Sequence, residues 1–398
     1  MPMTAAKERL WTLGFVNLLA FDILYQFGAY MTNTVIAVYA VGLGATYGIA
    51  GLLAGLNPGT SMAVRPVTGL IADLLSKKTL LISSAVLFLA ATIGCAVFDS
   101  LLIIGFCRIL QGASFALRSV CVVALASKVL PESKLGSGMG WMGLSSVVST
   151  ATGPLVSEQV GTVWGYHASF ALAAVMLAGC VALALAFRVP ASARASRAER
   201  PAFSLRQLRS CFHLDTFLYR PNLIFTAMAG LSGVPQGISI SLIILAAEQR
   251  GIDGATVFFT CYALASLVGR PAVGRLSDKV GTRRIALPLF FVELAAVVVL
   301  MLMQSTAMIA VAALRLGVGQ GSLYPVLQAE SVRGVESAAL GRAANTFYIG
   351  PDVNMCLSPI IGSLLLGSLG VTAMYGFGAA AVCAAIVLYA VWLRHHPT

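Results

Sequence analysis

Arg65-Pro66-Val67-Thr68-Gly69-Leu70-Ile71-Ala72-Asp73, followed by Lys77-Lys78, returns later in the chain as Arg270-Pro271-Ala272-Val273-Gly274-Arg275-Leu276-Ser277-Asp278, followed by Arg283-Arg284. From Arg65 to Arg270 the offset is 205 residues. A second echo keeps nearly that offset: Arg108-Ile109-Leu110-Gln111-Gly112 answers to Arg315-Leu316-Gly317-Val318-Gly319-Gln320-Gly321. The chain therefore consists of two parallel halves. Each half carries a Gly-x-x-x-Asp turn with basic residues behind it.

Composition says what surrounds the halves. Of 398 residues, 58% are hydrophobic and 10% charged, and mean hydropathy is +0.89; a soluble domain is roughly a quarter charged. A core for this length cannot absorb so much apolar surface, so the bilayer is the expected solvent. Stretches of about 20 apolar residues, enough to cross it, fall near 11–38, 46–72, 79–98, 101–127, 137–159 and 165–188. A second set falls near 221–247, 255–276, 285–303, 306–329, 342–367 and 371–393. The expectation is an all-α integral membrane protein of twelve transmembrane helices in two six-helix bundles, residues 1–188 and 219–398. Parallel repeats in such a chain predict a solute site where they face each other. The first span is long and lacks a small-residue cleavage site, so it reads as retained. The linker, 189–218, interleaves Arg194, Arg197, Arg200, Arg206 and Arg209 with Phe203, Leu205, Leu208 and Phe212. That pattern suits a helix lying on anionic lipid headgroups.

Basic residues set the orientation. With the N-terminus inside, twelve spans return the C-terminus to the same side. Of 26 Lys and Arg, only Arg250 then falls in an outer loop, while Arg108, Arg118 and Arg315 lie within spans. This is the positive-inside pattern, and it predicts a cell-membrane protein with both termini cytoplasmic. The formal charge of +11 is thus a topology signal. A nucleic-acid surface would need clustered bases with aromatic stacking partners. The eight cysteines are scattered without a CxxC or Cys/His cluster, as packing residues rather than disulfides or a metal site. Gly138-Met139-Gly140-Trp141-Met142-Gly143 fits GxGxxG, but it opens a helix with no strand before it, so no dinucleotide is expected. No Walker motif and no nucleophile–base group occurs, and neither an enzyme nor a cofactor is expected.

These motifs resemble those of the major facilitator superfamily. The duplicated turn is similar to its loop motif, and Arg108 to Gly112 in span four resembles its Arg-x-x-Gln-Gly motif. Gly153-Pro154 in span five resembles the core of the motif associated with proton-driven antiporters. The first loop departs from the pattern at Leu74, Leu75 and Ser76, and Leu155-Val156-Ser157 lacks the later glycines, so the antiporter likeness is partial. The resemblance covers the whole chain. It implies alternating access around a midplane cavity, a small-molecule substrate, protons and a monomeric working unit. In the superfamily, the arginine matching Arg108 is implicated in proton coupling.

A charge at the bilayer centre costs at least ~2.5 kcal/mol, so each one inside a span is expected to face a cavity or a partner. Asp22 lies in span one with Tyr25, Gln26 and Asn33 on the same face. Asp352 lies in span eleven with Tyr348 and Asn345, between Pro351 and Pro359, which are expected to break the helix. At the repeat offset, Asp22 falls near Met228 and Ala229, and Asp352 near Val147, so the acids are not duplicated. Both are candidates for proton coupling or substrate contact; the alternative is a static pair with an arginine. Arg108 is a candidate for assisting the coupling or for a structural counter-ion to either acid. Arg118 has no basic counterpart in Leu323-Tyr324-Pro325 and is a candidate ligand for a carboxylate or phosphate.

The candidate substrate wall is Tyr25, Gln26, Gln111, Arg118, Asn345 and Tyr348. Gly69, Asp73, Gly274 and Asp278 are the candidate conformational latch, the glycines for close helix approach and the aspartates for capping a helix or pairing an arginine. Glu293 is expected to hydrogen-bond a neighbouring helix, and Trp11 and Trp392 to anchor at the interface. The expected function is proton-coupled export of a small organic compound. Organic-anion uptake or exchange through Arg108, Arg118 and Arg315, or a membrane sensor that transports nothing, are the other readings.

Overall fold

A computed structural model describes residues 10–74, 76–131, 135–187, 218–333, 335–336 and 340–395. Most of the linker expected to lie on the membrane therefore falls outside the described residues. The described elements are helices, and no strand occurs among them. The first half contributes α1 (Leu13–Gly42), α2 (Tyr47–Leu74), α3 (Lys77–Val97), α4 (Leu101–Val129), α5 (Leu135–Trp164) and α6 (Tyr166–Ala186). The second contributes α7 (Leu223–Gln249), α8 (Val257–Val280), α9 (Thr282–Met301), α10 (Thr306–Val332) and α11 (Leu340–His395). Among the described residues, nine stretches are long and apolar enough to cross a membrane. α11 counts once in that number, and α2 and α5 are not in it.

Local chemistry sets several ends. Thr12 accepts a hydrogen bond from the Phe15 amide at 3.2 Å and Ser76 one from Thr79 at 3.0 Å, so side-chain oxygens cap the free N–H groups of α1 and α3. α11 departs from helical geometry at Gly370, where φ is 80° and ψ −175°, a conformation that strongly favours glycine. Pro351 and Pro359 do not break it, contrary to expectation: the helix runs through both. Membrane helices tolerate proline where neighbouring groups satisfy the freed carbonyls.

Two apolar cores hold the helices. One lies wholly in the first half, among Phe15, Phe21, Phe88, Leu125 and Leu177. The other fills the second half and reaches across to Val35 and Leu53. The halves meet where α2 runs along α11 and α5 along α8. On α2, Gly51, Gly55 and Gly59 recur at one-turn spacing against α11. A Cβ on Gly55 would stand 2.5 Å from the Cys356 carbonyl oxygen, and one on Gly59 2.7 Å from Cys356 Sγ. Only residues without side chains let the backbones come this close. Trp11 is about half exposed, as an interfacial anchor would be, but Trp392 is 8% exposed. It is packed against Phe225 and Tyr389 beneath the Arg283 guanidinium, so it belongs to the core.

Candidate functional site

Pro58 in α2 has no N–H, which leaves the carbonyl of Ala54, four residues earlier, without its helical donor. Arg108 supplies one from α4. Its Nη2 donates to Ala54 O at 3.2 Å, its Nε to Leu53 O at 3.0 Å and its Nη1 to Gln111 Oε1 at 2.9 Å. Gln111 Nε2 in turn donates to Thr92 Oγ1 of α3 at 3.2 Å, and Gly112 lies against the Asn57 backbone. The Arg-x-x-Gln-Gly motif therefore binds α4 to α2 and α3. Arg108 is 1% exposed, and its donors reach backbone and amide oxygens, so it is not the counter-ion of Asp22 or Asp352.

The two acids have different surroundings. Asp22 accepts hydrogen bonds from Arg118 Nη1 and from the Ser145 hydroxyl, which joins α1 to α4 and α5. The Asp22 and Arg118 side chains are 5% and 7% exposed. The guanidinium also lies over Tyr25 and Phe115, 5.1 and 4.9 Å from the ring centroids, a favourable placement for a desolvated cation. Asp352 instead reaches across the halves: its Oδ2 is 2.9 Å from Arg65 Nη1 on α2, with side chains 19% and 36% exposed respectively.

Asp352 and Arg65 line a cavity of about 220 Å³, together with Gln26, Tyr30, Asn33, Asn57, Ser61, Arg108 and Ser241. Four buried polar atoms on its wall have no hydrogen-bond partner: Asn33 Oδ1, Asn57 Nδ2, Ser61 Oγ and Arg65 Nε. A buried polar group without a partner costs roughly 1–3 kcal/mol.

Positions 205 residues on give the matching wall. Tyr262, Ser266 and Arg270 on α8 stand where Asn57, Ser61 and Arg65 stand on α2, and Val147 where Asp352 stands. They line a cavity of only about 60 Å³, and their groups are bonded within the protein. Tyr262 donates its hydroxyl to Gln320 Oε1 at 2.8 Å and accepts from Gln236 Nε2 at 2.6 Å. Ser266 donates to Gly317 O at 3.2 Å, and Arg270 Nε to Gly321 O at 3.0 Å. Gly321 lies four residues before Pro325, so Arg270 repeats the repair that Arg108 makes on α2.

Of the residues expected at the site, Gln26, Arg108 and Asp352 line the larger cavity. Tyr25, Gln111 and Arg118 are buried behind it, with the Tyr25 hydroxyl 2.5 Å from Ser114 Oγ. Asn345 and Tyr348 are exposed, and Tyr348 OH accepts from Gln328 Nε2 at 2.7 Å. Arg65, Asn57 and Ser61 were not singled out as wall residues, although their i, i+4, i+8 spacing puts them on one face of α2.

Arg315 is exposed on α10, and the residue facing α8 there is Gly317, where a Cβ would meet Tyr262 O at 2.5 Å. Counted from Gln320-Gly321, the glycine, not the arginine, holds the place of Arg108. Glu293 is fully buried with neither carboxylate oxygen hydrogen-bonded, which overturns the expected bond to a neighbouring helix.

The side chains of Asp73 and Asp278, and Gly69, lie outside what the structure describes. Gly274 has no atom within 4 Å of where a Cβ would stand, so close helix approach is not its role in this conformation. Lys78 and Arg283, behind the two turns, are engaged. Lys78 Nζ donates to Leu185 O in the last turn of α6 at 2.8 Å, and Arg283 Nε donates to Glu330 Oε1 at 2.8 Å. Glu330 also accepts from the Thr282 hydroxyl at 2.7 Å; the sequence reading had overlooked this acid.

Comparison with known proteins agrees with this architecture. The family profile of the Major Facilitator Superfamily matches residues 18–350 and, overlapping them, 237–398. The multidrug resistance protein MdtG of Klebsiella pneumoniae (strain 342) is 24% identical over 272 residues, 67% of this chain and 63% of MdtG. The match thus spans less than two thirds of that relative's length. The multi-drug resistance efflux pump PmrA of Streptococcus pneumoniae serotype 4 is 23% identical over 343 residues, 84% of this chain and 83% of PmrA. Among solved structures, a peptide transporter POT in complex with sulfate superposes with a TM-score of 0.79 at 14% identity, covering 96% of this chain and 94% of that one. The nucleoside transporter NupG, in a mutant form, gives a TM-score of 0.76 at 11% identity, covering 96% and 100%. The chain is a multi-pass helical membrane protein and belongs to the Major Facilitator Superfamily.

Proposed function

We propose that this protein exports a small organic compound across the cell membrane in exchange for protons, with Asp352 as the coupling acid. Two six-helix halves, residues 1–188 and 219–398, would alternate around the larger cavity, with both termini cytoplasmic. The observation that carries this reading is the 2.9 Å pair between Asp352 and Arg65, which joins the halves on the cavity wall. A proton on Asp352 removes its charge and leaves Arg65 without its counter-ion, which weakens the α2–α11 contact at that level; loss of the proton restores it. Asp22 sits in an enclosed pair within the first half and holds α1, α4 and α5 together. PmrA, an efflux pump by name, supports the export direction. The organic-anion reading loses two of its three arginines, since Arg118 is engaged by Asp22 and Arg315 faces outward.

The test is proton release from energised everted vesicles, followed with a pH-sensitive dye while compounds of differing charge are added. Substrate-evoked release is expected in the wild type and is expected to vanish in Asp352→Asn. Per folded molecule it is expected to persist in Asp22→Asn. Release that survives in Asp352→Asn would remove that residue from the coupling role.

A further inference from the structure

The larger cavity carries one exposed cation and one exposed anion. Arg65 is the last rung of a ladder on α2, one turn beyond Ser61 and two beyond Asn57, and Asp352 approaches it from α11. They meet through Nη1 and Oδ2 at 2.9 Å, and each side chain keeps free surface, 36% for Arg65 and 19% for Asp352. That contact occupies one nitrogen and one oxygen, where arginine–carboxylate pairs frequently close through two of each. Gln26, Tyr30, Asn33, Asn57 and Ser241 add uncharged amides and hydroxyls to the wall. Arg108 also borders the space, but it is 1% exposed and its donors are taken up by Leu53 O, Ala54 O and Gln111 Oε1.

Charge narrows the solute first. A cation drawn to Asp352 sets a second positive charge beside Arg65, and an anion drawn to Arg65 sets a second negative charge beside Asp352. Like charges at such range repel strongly where water is scarce. An uncharged solute avoids that conflict and meets each charge with a dipole alone. A zwitterion meets each with a full opposite charge, its anionic end on Arg65 and its cationic end on Asp352, and adds no net charge.

Spacing and size narrow it further. The two ends must lie as close together as Arg65 and Asp352 do. In an α-amino acid the ammonium nitrogen and the carboxylate carbon are two bonds apart, roughly 2.5 Å, so the head group can lie antiparallel to the 2.9 Å pair. At about 220 Å³ the cavity is below the range of roughly 300–1,000 Å³ that accommodates drug-sized ligands. Phe115, Ile240 and Met355 give a side chain apolar surface to rest on.

We infer that the cavity beside α2 takes a compact zwitterion, an α-amino acid with an apolar side chain, bound head to tail on the Arg65–Asp352 pair. This rests on the proposed transport reading for the identity of the cavity as the substrate site, and it supplies that reading with a reason for exchange. Arg65 of α2 and Tyr324 of α10 are the charged and titratable groups set against Asp352. The cationic end of the solute needs the charge of Asp352, and a proton there removes it. One carboxylate therefore holds either load and never both.

The test is equilibrium binding of tritiated leucine to the purified full-length protein in nanodiscs, by scintillation proximity, without a proton gradient. The competitors keep the leucine side chain and lose its charges: leucinamide lacks the anionic end, N-acetylleucine the cationic end and N-acetylleucinamide both. Saturable leucine binding is expected, with each analogue at least roughly tenfold weaker, the effect of one lost charge-assisted hydrogen bond. With tritiated analogues, Asp352→Asn is expected to lose leucine and prefer N-acetylleucine, since Arg65 then stands without its anion. Arg65→Gln is expected to turn the preference to leucinamide. An exchange of preference is not produced by loss of fold.

Three results would overturn the inference: no saturable leucine binding, an analogue that competes in the wild type as strongly as leucine, or variants that fail to exchange preference. Failure of the transport reading looks different. Leucine binding with this selectivity but no leucine-evoked proton release in vesicles leaves the site standing and removes the coupling. Proton release evoked by tetraphenylphosphonium, lost in Asp352→Asn and unaccompanied by leucine binding, does the reverse.

Discussion

α2 and α8 are the same helix twice, yet one is closed on itself and the other is open. At three successive turns α8 carries Tyr262, Ser266 and Arg270, all hydrogen-bonded within the second half. At the same turns α2 carries Asn57, Ser61 and Arg65, all with a buried unpaired atom. The cause lies in where each half placed a proline and an arginine. In the first half Pro58 freed a carbonyl on α2, and an arginine on α4 answers it. In the second half Pro325 lies on α10, and the answering arginine is Arg270 on α8. Because Arg108 serves the carbonyl in the first half, Arg65 is released toward the cavity. There it meets Asp352, whose counterpart facing the smaller cavity is Val147. The helix framework is shared by both copies, and the exchange of one repair between neighbouring helices leaves an arginine paired across the halves in only one of them.

The largest effect should come from the enclosed pair. Asp22→Ala leaves Arg118 buried without its carboxylate, a change that costs about 3–5 kcal/mol, and thermal denaturation in detergent should show it as a large fall in Tm. Asp352→Ala, beside a partner more than a third exposed, should move Tm much less. Equal falls would erase the contrast between the two acids. Next comes a pair of substitutions at one repeat position. Tyr262→Phe removes the hydroxyl between Gln236 and Gln320 and should destabilise by about 1–3 kcal/mol while substrate transport per folded molecule persists. Asn57→Leu replaces a buried amide whose Nδ2 has no partner and should not lower stability, while transport falls. The same pattern at both positions would break the comparison between α2 and α8. The smallest effect is at the serines. Ser266→Ala should cost about 0.5–1.5 kcal/mol and Ser61→Ala less, since only the first breaks a bond within the protein. Chemical denaturation of the two variants side by side checks the order.

The sequence disclosed some of this and not the rest, for physical reasons. Repetition and hydropathy are local patterns, so the two halves and their long helices could be read from Arg65, Arg270 and the runs between them. Pairing across the halves is not local. Nothing near Asp352 in the chain points to Arg65, and the acids were identified without their partners. Arg108 was read as an ion-pair or coupling group because a buried arginine suggests a carboxylate; backbone carbonyls freed by a proline answer it equally well. Arg315 was matched to Arg108 by its motif, but the offset grows from 205 at Arg65 to 209 at Gln111, enough to turn it to the outside of α10. The ladder on α2 was legible from its four-residue spacing. Attention to charge hid it, since two of its three members are neutral.

The glycines of α2 have a consequence for how the protein moves. Where Gly51, Gly55 and Gly59 lie on α11, α2 contributes no side chain, so the contact is filled from the α11 side alone, by groups such as the Cys356 carbonyl and thiol. Surfaces joined by interdigitated side chains separate only as rotamers rearrange one after another. A seam bare on one side has fewer such steps: its attraction falls steeply over roughly 1 Å of separation, and no α2 side chain at these three turns has to change rotamer for it to part and reseat. A single methyl on Gly55 would act there as a doorstop, holding the halves apart along one edge while leaving the cavity's own chemistry untouched.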